Sequence, residues 1–191
     1  PPRSTLFPYT TLFRSELVAH DASGVTLRVT AGAPGPLSIG LGDHAADLLA
    51  YAAVDRVSVV PDLTISRLGD GGGPIPKTPA QFEAVGWLNG PDGQPATEDD
   101  VALGILPARW SVTDFDEAAA AMEDAKFAGS IDAATGLFTP AEAGPNPERP
   151  MMTNNAGNLK VIATVTDGTT ELTGEAHLYA TVQRFVDAPI R

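Results

Sequence analysis

The sequence predicts an all-β protein: a β-sandwich carrying one short helix, preceded by part of a second sandwich. Three observations carry that prediction. Short runs alternate apolar and polar residues, 17 Pro and 19 Gly stand between those runs, and a single stretch, Asp116 to Ala125, has helical composition. Alternation with period two sets one face of a strand against a core, and Gly and Pro mark the turns between strands.

The elements follow in chain order. Residues 1–15, PPRSTLFPYTTLFRS, reproduce one reading frame of a common short-read sequencing adapter residue for residue. They read as a non-native, disordered leader, so Leu6, Phe7, Leu12, Phe13 and Arg14 are not taken as a targeting segment. The natural chain is then expected to start no earlier than Glu16, in mid-gene, with its own N-terminus and signal-peptide region missing. Val25, Leu27 and Val29 alternate with Thr26, Arg28 and Thr30 in a strand. Ala33 to Pro36 forms a turn, and Leu37 and Ile39 begin another strand. After a loop at Gly42 to Ala46, Asp47 to Pro61 passes from the last strand of one domain into the first of the next. The boundary falls near Asp55, giving a partial domain at 16–55 and a complete one at 56–191.

In the second domain, Val57 to Leu68 holds two short strands and Gly71 to Pro79 a Gly/Pro loop. Phe82, Ala84 and Trp87 are read along a third strand, and Asn89 to Asp100 is a polar, turn-rich loop. Ile105 to Val112 resumes β structure with Trp110 inside it. Ala, Glu and Met favour the helix at Asp116 to Ala125, with Thr113 or Asp114 as its cap and Ala119, Met122 and Lys126 on one face. Asp167-Gly168 marks a turn, and Leu178, Ala180 and Val182 alternate in a final strand.

Between the helix and that turn, Gly129, Ile131, Asp132, Gly136, Leu137, Phe138, Thr139 and Pro140, then Gly157, Leu159, Val161, Ala163 and Val165, resemble the hairpin and following strand of bacterial immunoglobulin-like domains. The sandwich is therefore expected to be immunoglobulin-like, and residues 16–55 to be the end of a similar module. Trp110, Phe138, Leu159 and Val161 are the expected core, with Trp110 as its central aromatic.

A narrower resemblance spans nearly every natural residue. VVPDLTISRLGDGGG (Val59 to Gly73), QFEAVGWLNGPDGQPATEDDVALG (Gln81 to Gly104), KFAGSIDAATGLFTPAEAGPNPER (Lys126 to Arg149), NNAGNLKVIATV (Asn154 to Val165) and VQRFVDAPIR (Val182 to Arg191) resemble the C-terminal domain of the quinohemoprotein amine dehydrogenase alpha subunit. Glu16 to Asp55 resembles the end of the domain before it. The resemblance implies a periplasmic heterotrimer that oxidises primary amines. It implies a small subunit with a quinone made from cross-linked Cys and Trp, a β-propeller subunit, and an alpha subunit that begins with a dihaem cytochrome c domain. This chain has no cysteine, so no haem-attachment motif or catalytic residue carries over. The expected function is that of non-catalytic structural and docking β-domains, with the dihaem domain and the two other subunits as partners. The alternative is an immunoglobulin-like adhesion or ligand-binding module of a secreted or surface protein.

Composition excludes other classes. The net charge of −12 repels phosphate backbones, which argues against nucleic-acid binding. No apolar run approaches the ~20 residues that span a bilayer, and neither a membrane nor a nucleic acid is an expected partner. A hydrophobic fraction of 43% with 19% charged residues is that of a globular chain.

The candidate sites are few. Asp92, Glu98, Asp99 and Asp100 offer oxygen ligands for Ca²⁺, but their spacing lacks the EF-hand pattern and a solvated acidic turn competes. His20, His44 and His177 have no helical-spacing partner for zinc and suit surface or cross-strand roles. Gly71-Gly72-Gly73 lacks the Lys-Ser/Thr ending of a phosphate loop. Asp114, Asp116 and Glu117 fit a helix start, where carboxylates meet the positive end of the dipole. For docking, the candidates are Trp87, Met151 and Met152, together with the loops Asp70 to Pro79 and Pro140 to Asn155.

Overall fold

The computed structural model describes residues 14–21, 24–31, 35–41, 44–51, 53–69 and 76–182. The chain divides into two compact units, Pro1–Ala53 and Val54–Arg191.

The first unit contains two antiparallel hairpins: β1 (Arg14–Asp21) with β2 (Gly24–Ala31), and β3 (Gly35–Leu41) with β4 (His44–Ala50). β2 is the strand read from its alternation. β1 opens at Arg14, so Arg14 and Ser15 of the expected leader pair with Ala31 and Val29, while residues 1–13 lie outside the described residues. β4 starts at His44, inside the loop expected at Gly42 to Ala46.

The second unit runs β5 (Arg56–Val60), β6 (Leu63–Arg67), β7 (Ala80–Gln81), β8 (Glu83–Leu88), β9 (Val101–Leu106) and β10 (Arg109–Asp114). After α1 (Glu117–Ala121) and α2 (Asp124–Ala128) come β11 (Gly129–Ile131), β12 (Leu137–Pro140), β13 (Gly157–Asp167) and β14 (Thr170–Thr181). Two sheets form an immunoglobulin-like sandwich, one ordered β5-β8-β9 and the other β10-β13-β14-β6, with a small sheet β11-β12-β7 beside them. The chain changes sheets at Pro61-Asp62: β5 is antiparallel to β8, and β6 runs parallel to β14.

Alternation explains the core. Gly157, Leu159, Val161, Ala163 and Val165 of β13 are buried, as are Gly174, Ala176, Leu178 and Ala180 of β14. They face Val57, Val59 and Ala84, with Trp110, Phe82 and Phe138 completing one cluster. Phe138, Leu159 and Val161 are fully buried and Trp110 is 6% exposed. Burying each large apolar side chain contributes about 1.5–3 kcal/mol. Gly174 lets the sheets approach: a Cβ there would stand 2.9 Å from the Val57 carbonyl oxygen.

Four expectations are corrected. Trp87 lies on the face of β8 opposite Ala84, because the inward series is Phe82, Ala84, Gly86 and Leu88. Ile105 to Val112 is two strands in different sheets, since Pro107-Ala108 carries the chain across. The single helix is two, broken where Glu123 takes a left-handed conformation (φ 48°). Its cap is Asp116, whose Oδ1 accepts from the Ala119 amide at 2.8 Å, while Asp114 accepts from the Ala125 amide at the start of α2. The final strand carries Leu178 and Ala180 on its buried face as expected; it runs from Thr170, immediately after the Asp167-Gly168 turn, to Thr181 and pairs with β13.

Candidate docking surfaces

Arg56 organises the acidic loop. Its Nε donates to Asn89 Oδ1 at 3.1 Å, its Nη2 reaches Asp100 Oδ2 at 2.5 Å, and its guanidinium lies 4.6 Å from the Trp87 ring centroid. Trp87 Nε1 donates to Ser58 Oγ at 2.8 Å. The half-buried indole is thus held between a cation and a hydroxyl on its own sheet, an arrangement in which the ring quadrupole attracts Arg56. The loop carboxylates turn to local donors: Asp100 accepts from the Ala96 amide, Asp99 from the Thr97 hydroxyl and Asp92 from the Gln94 amide. The Arg56 hydrogen bond holds the Asp100 carboxyl below the usual aspartate range, and the Thr97 hydroxyl does the same for Asp99. Among the described residues no three His, Asp or Glu side chains converge on a metal position. Asp92, Asp99 and Asp100 are thereby latched within the turn, and Glu98 is exposed beside them.

The 140–155 loop is pinned at its base. Asn146, fully buried, donates from Nδ2 to the Met122 carbonyl at 2.8 Å, and Asn155 donates to the carbonyls of Phe127 and Glu142. Arg149 bonds the buried Asp124 and the Ala156 carbonyl. What projects is the tip, where Met151 and Met152 are 93% and 60% exposed. The other candidate loop is described only from residue 76, and Gly71, Gly72 and Gly73 lie outside the described residues.

A further surface was not read from the sequence. On the outer face of the four-stranded sheet, Phe115 stacks on His177 with centroids 3.8 Å apart, and His177 meets Tyr179 at 4.2 Å. His177 Nε2 and Asn158 Oδ1 are hydrogen-bonded at 2.5 Å. In register beside them, Leu63 aligns with His177 and Ile65 with Tyr179. Leu63 and Ile65 are more than half exposed, and Phe115 and Tyr179 are also exposed. The signal was present in two alternations, Leu63/Ile65 and His177/Tyr179, whose outward residues the sequence sets on one face of each strand. His20 and His44 stand in β1 and β4 of the first unit.

The fold defines a cysteine-free immunoglobulin-like β-sandwich module whose exposed apolar residues gather at surfaces suited to contact. A family model for quinohemoprotein amine dehydrogenase, alpha subunit domain IV, matches residues 57–190. The chain belongs to that family. No curated protein matches it. The family's name implies a quinone and a haem; with no cysteine, this sequence has no thioether anchor for a haem and no thiol for a Cys-derived cross-link. Among the described residues no helix is long and apolar enough to cross a membrane.

Proposed function

We propose that this chain is a non-catalytic, structural and subunit-docking part of a periplasmic quinohaem amine dehydrogenase, whose full complex oxidises primary amines. In this reading residues 16–55 end one β-domain and residues 56–191 form the next. Haem c belongs to the dihaem domain of the same subunit and the Cys-Trp quinone to the small subunit, with a β-propeller subunit as third partner. The observation that carries the reading is the outer face built from Leu63, Ile65, Phe115, His177 and Tyr179. It is an exposed apolar and aromatic patch on an otherwise acidic chain, and such patches mark contact surfaces. Aromatic side chains are enriched in the buried centre of interfaces and carboxylates depleted there.

The test is reconstitution. The purified chain is expected to show no haem absorbance and no amine oxidation, and to be retained by the immobilised β-propeller and quinone subunits or by the dihaem domain. Amine oxidation by the chain alone, or failure to bind any of these, would overturn the reading.

A further inference from the structure

Strand β9 closes one side of its sheet and, among the described residues, pairs with β8 alone. Its sequence, VALGIL, carries no charge, and Val101 and Ile105 are 39% and 63% exposed. A strand at a sheet edge offers its backbone N–H and C=O groups to other chains, and natural edges are commonly blunted by a charge, a proline, a β-bulge or a covering loop. β9 carries a bulge at Leu103-Gly104 but no charge or proline. Here the charges stand at the ends instead. The exposed Glu98 and Asp99 precede the strand, and Glu83 lies beside its far end, where Leu106 pairs with Ala84. At that end a cleft of about 240 Å³ opens between β9 and the β11–β12 turn. Phe82, Ala84, Leu106 and Trp110 form its apolar lining, and Glu83 is the charged side chain among its lining residues.

We propose that this edge and cleft receive an extended segment of a partner protein by strand addition, a segment with an uncharged aliphatic centre and basic residues at both ends. Main-chain pairing along β9 supplies affinity, and alternate side chains supply specificity. The six residues of β9, at about 3.3 Å each, span about 20 Å, interrupted by a bulge at Leu103-Gly104 where Gly104 has φ 96°. One aliphatic side chain of the incoming segment enters the cleft over Trp110, and its basic ends meet Glu98 and Asp99 on one side and Glu83 on the other. A second copy of this chain fits worse. Its β9 is flanked by the same Glu98 and Asp99, and the chain's net charge of −12 opposes self-association. The inference rests on the docking reading for the existence of a protein partner; the edge and the cleft supply that partner's chemistry.

The experiment uses the full chain carrying Trp87→Phe, so that Trp110 is the remaining tryptophan. It is titrated with a blocked peptide of alternating valine and threonine flanked by lysine pairs, and with the same peptide flanked by glutamates. The lysine-flanked peptide is expected to shift Trp110 emission saturably and to slow amide exchange across residues 101–106, and the glutamate-flanked one to do neither. Ile105→Lys, at an exposed position, is expected to weaken binding about tenfold, equivalent to ~1.4 kcal/mol, whereas Thr173→Lys on the other sheet leaves it unchanged. Unaltered exchange at 101–106, equal response to both peptides, or protection that grows with protein concentration alone would overturn the proposal. Failure to assemble with the sister subunits while the lysine-flanked peptide still binds would sink the docking reading and spare this one.

Discussion

Asp124 and Arg149 form an ion pair at 2.8 Å in which the carboxylate is 1% exposed and the guanidinium side chain 19%. The same carboxylate accepts from the Asn158 amide at 3.0 Å, and Arg149 also donates to the Ala156 carbonyl at 2.6 Å. One buried charge thus fastens α2, the 140–155 loop and the first residues of β13 to one another.

Removing the carboxylate leaves a largely buried guanidinium without its counter-ion, which is far costlier than losing a surface pair. Asp124→Ala is expected to destabilise the protein by roughly 3–5 kcal/mol in urea unfolding. Asp124→Asn, which retains an acceptor for the Asn158 amide, should cost less. If Asp124→Ala costs under ~1 kcal/mol, a typical surface-pair value, the pair does not hold the loop.

Trp110 and Gly136 are expected to be coupled. Gly136 has φ +71°, and a Cβ there would stand 2.7 Å from the Trp110 ring. Trp110→Ala should cost about 3–5 kcal/mol. Gly136→Ala combines ring overlap with a left-handed backbone, the latter worth about 1–2 kcal/mol. In a double-mutant cycle the Gly136→Ala penalty should shrink in the Trp110→Ala background; strict additivity would show that the ring does not confine the turn.

Acid should loosen the β11–β12 turn. The Thr135 amide, then the Thr135 hydroxyl and the Ala134 amide, hold the Asp132 carboxyl below the usual range. A folded pKa below the unfolded one contributes stability that is present above the unfolded value of 3.8 and lost as pH falls through the folded value. The melting temperature of the native chain should therefore drop more steeply below about pH 4 than that of Asp132→Asn. Parallel curves would remove Asp132 from the account.

Charge placed on the outer apolar face should separate assembly from folding. Ile65 and Tyr179 are 63% and 41% exposed, so Ile65→Lys and Tyr179→Lys are expected to cost no more than about 1 kcal/mol, the scale of the cross-strand and aromatic contacts they lose. Retention on the sister subunits should nonetheless fall about tenfold or more for each, equivalent to at least ~1.4 kcal/mol. Unchanged retention would place the contact elsewhere.

The strands were legible where alternation is clean. In β13, Leu159, Val161, Ala163 and Val165 declare a buried face, and the Asp167-Gly168 turn declares the hairpin that follows. Sheet membership was not legible, because β9 and β10 are both apolar enough to read as one strand and nothing local in Pro107-Ala108 distinguishes a pause from a crossing. The helix break escaped for a tertiary reason: Asp124 is drawn inward by Arg149, 25 residues away in sequence, and composition does not report such a partner. The outer face escaped because exposed Leu63 and Ile65, taken singly, are ordinary. Their meaning depends on the parallel register that sets them beside His177 and Tyr179.

That parallel register has a mechanical consequence. β6 is entered from the upstream chain at Leu63, and β14 leaves toward the downstream chain at Thr181, with the two strands side by side and pointing the same way. Tension applied at the start of β6 and the end of β14 pulls these neighbours in opposite directions along their length. Their hydrogen bonds must then fail together in shear instead of unzipping one by one. Single-molecule extension between anchors at Asp62 and Val182 should show one abrupt rupture, lowered by Thr64→Pro, which removes a backbone donor on the side of β6 that bonds β14. A sheet closed by these two strands is in this way built to resist being drawn out along their common direction.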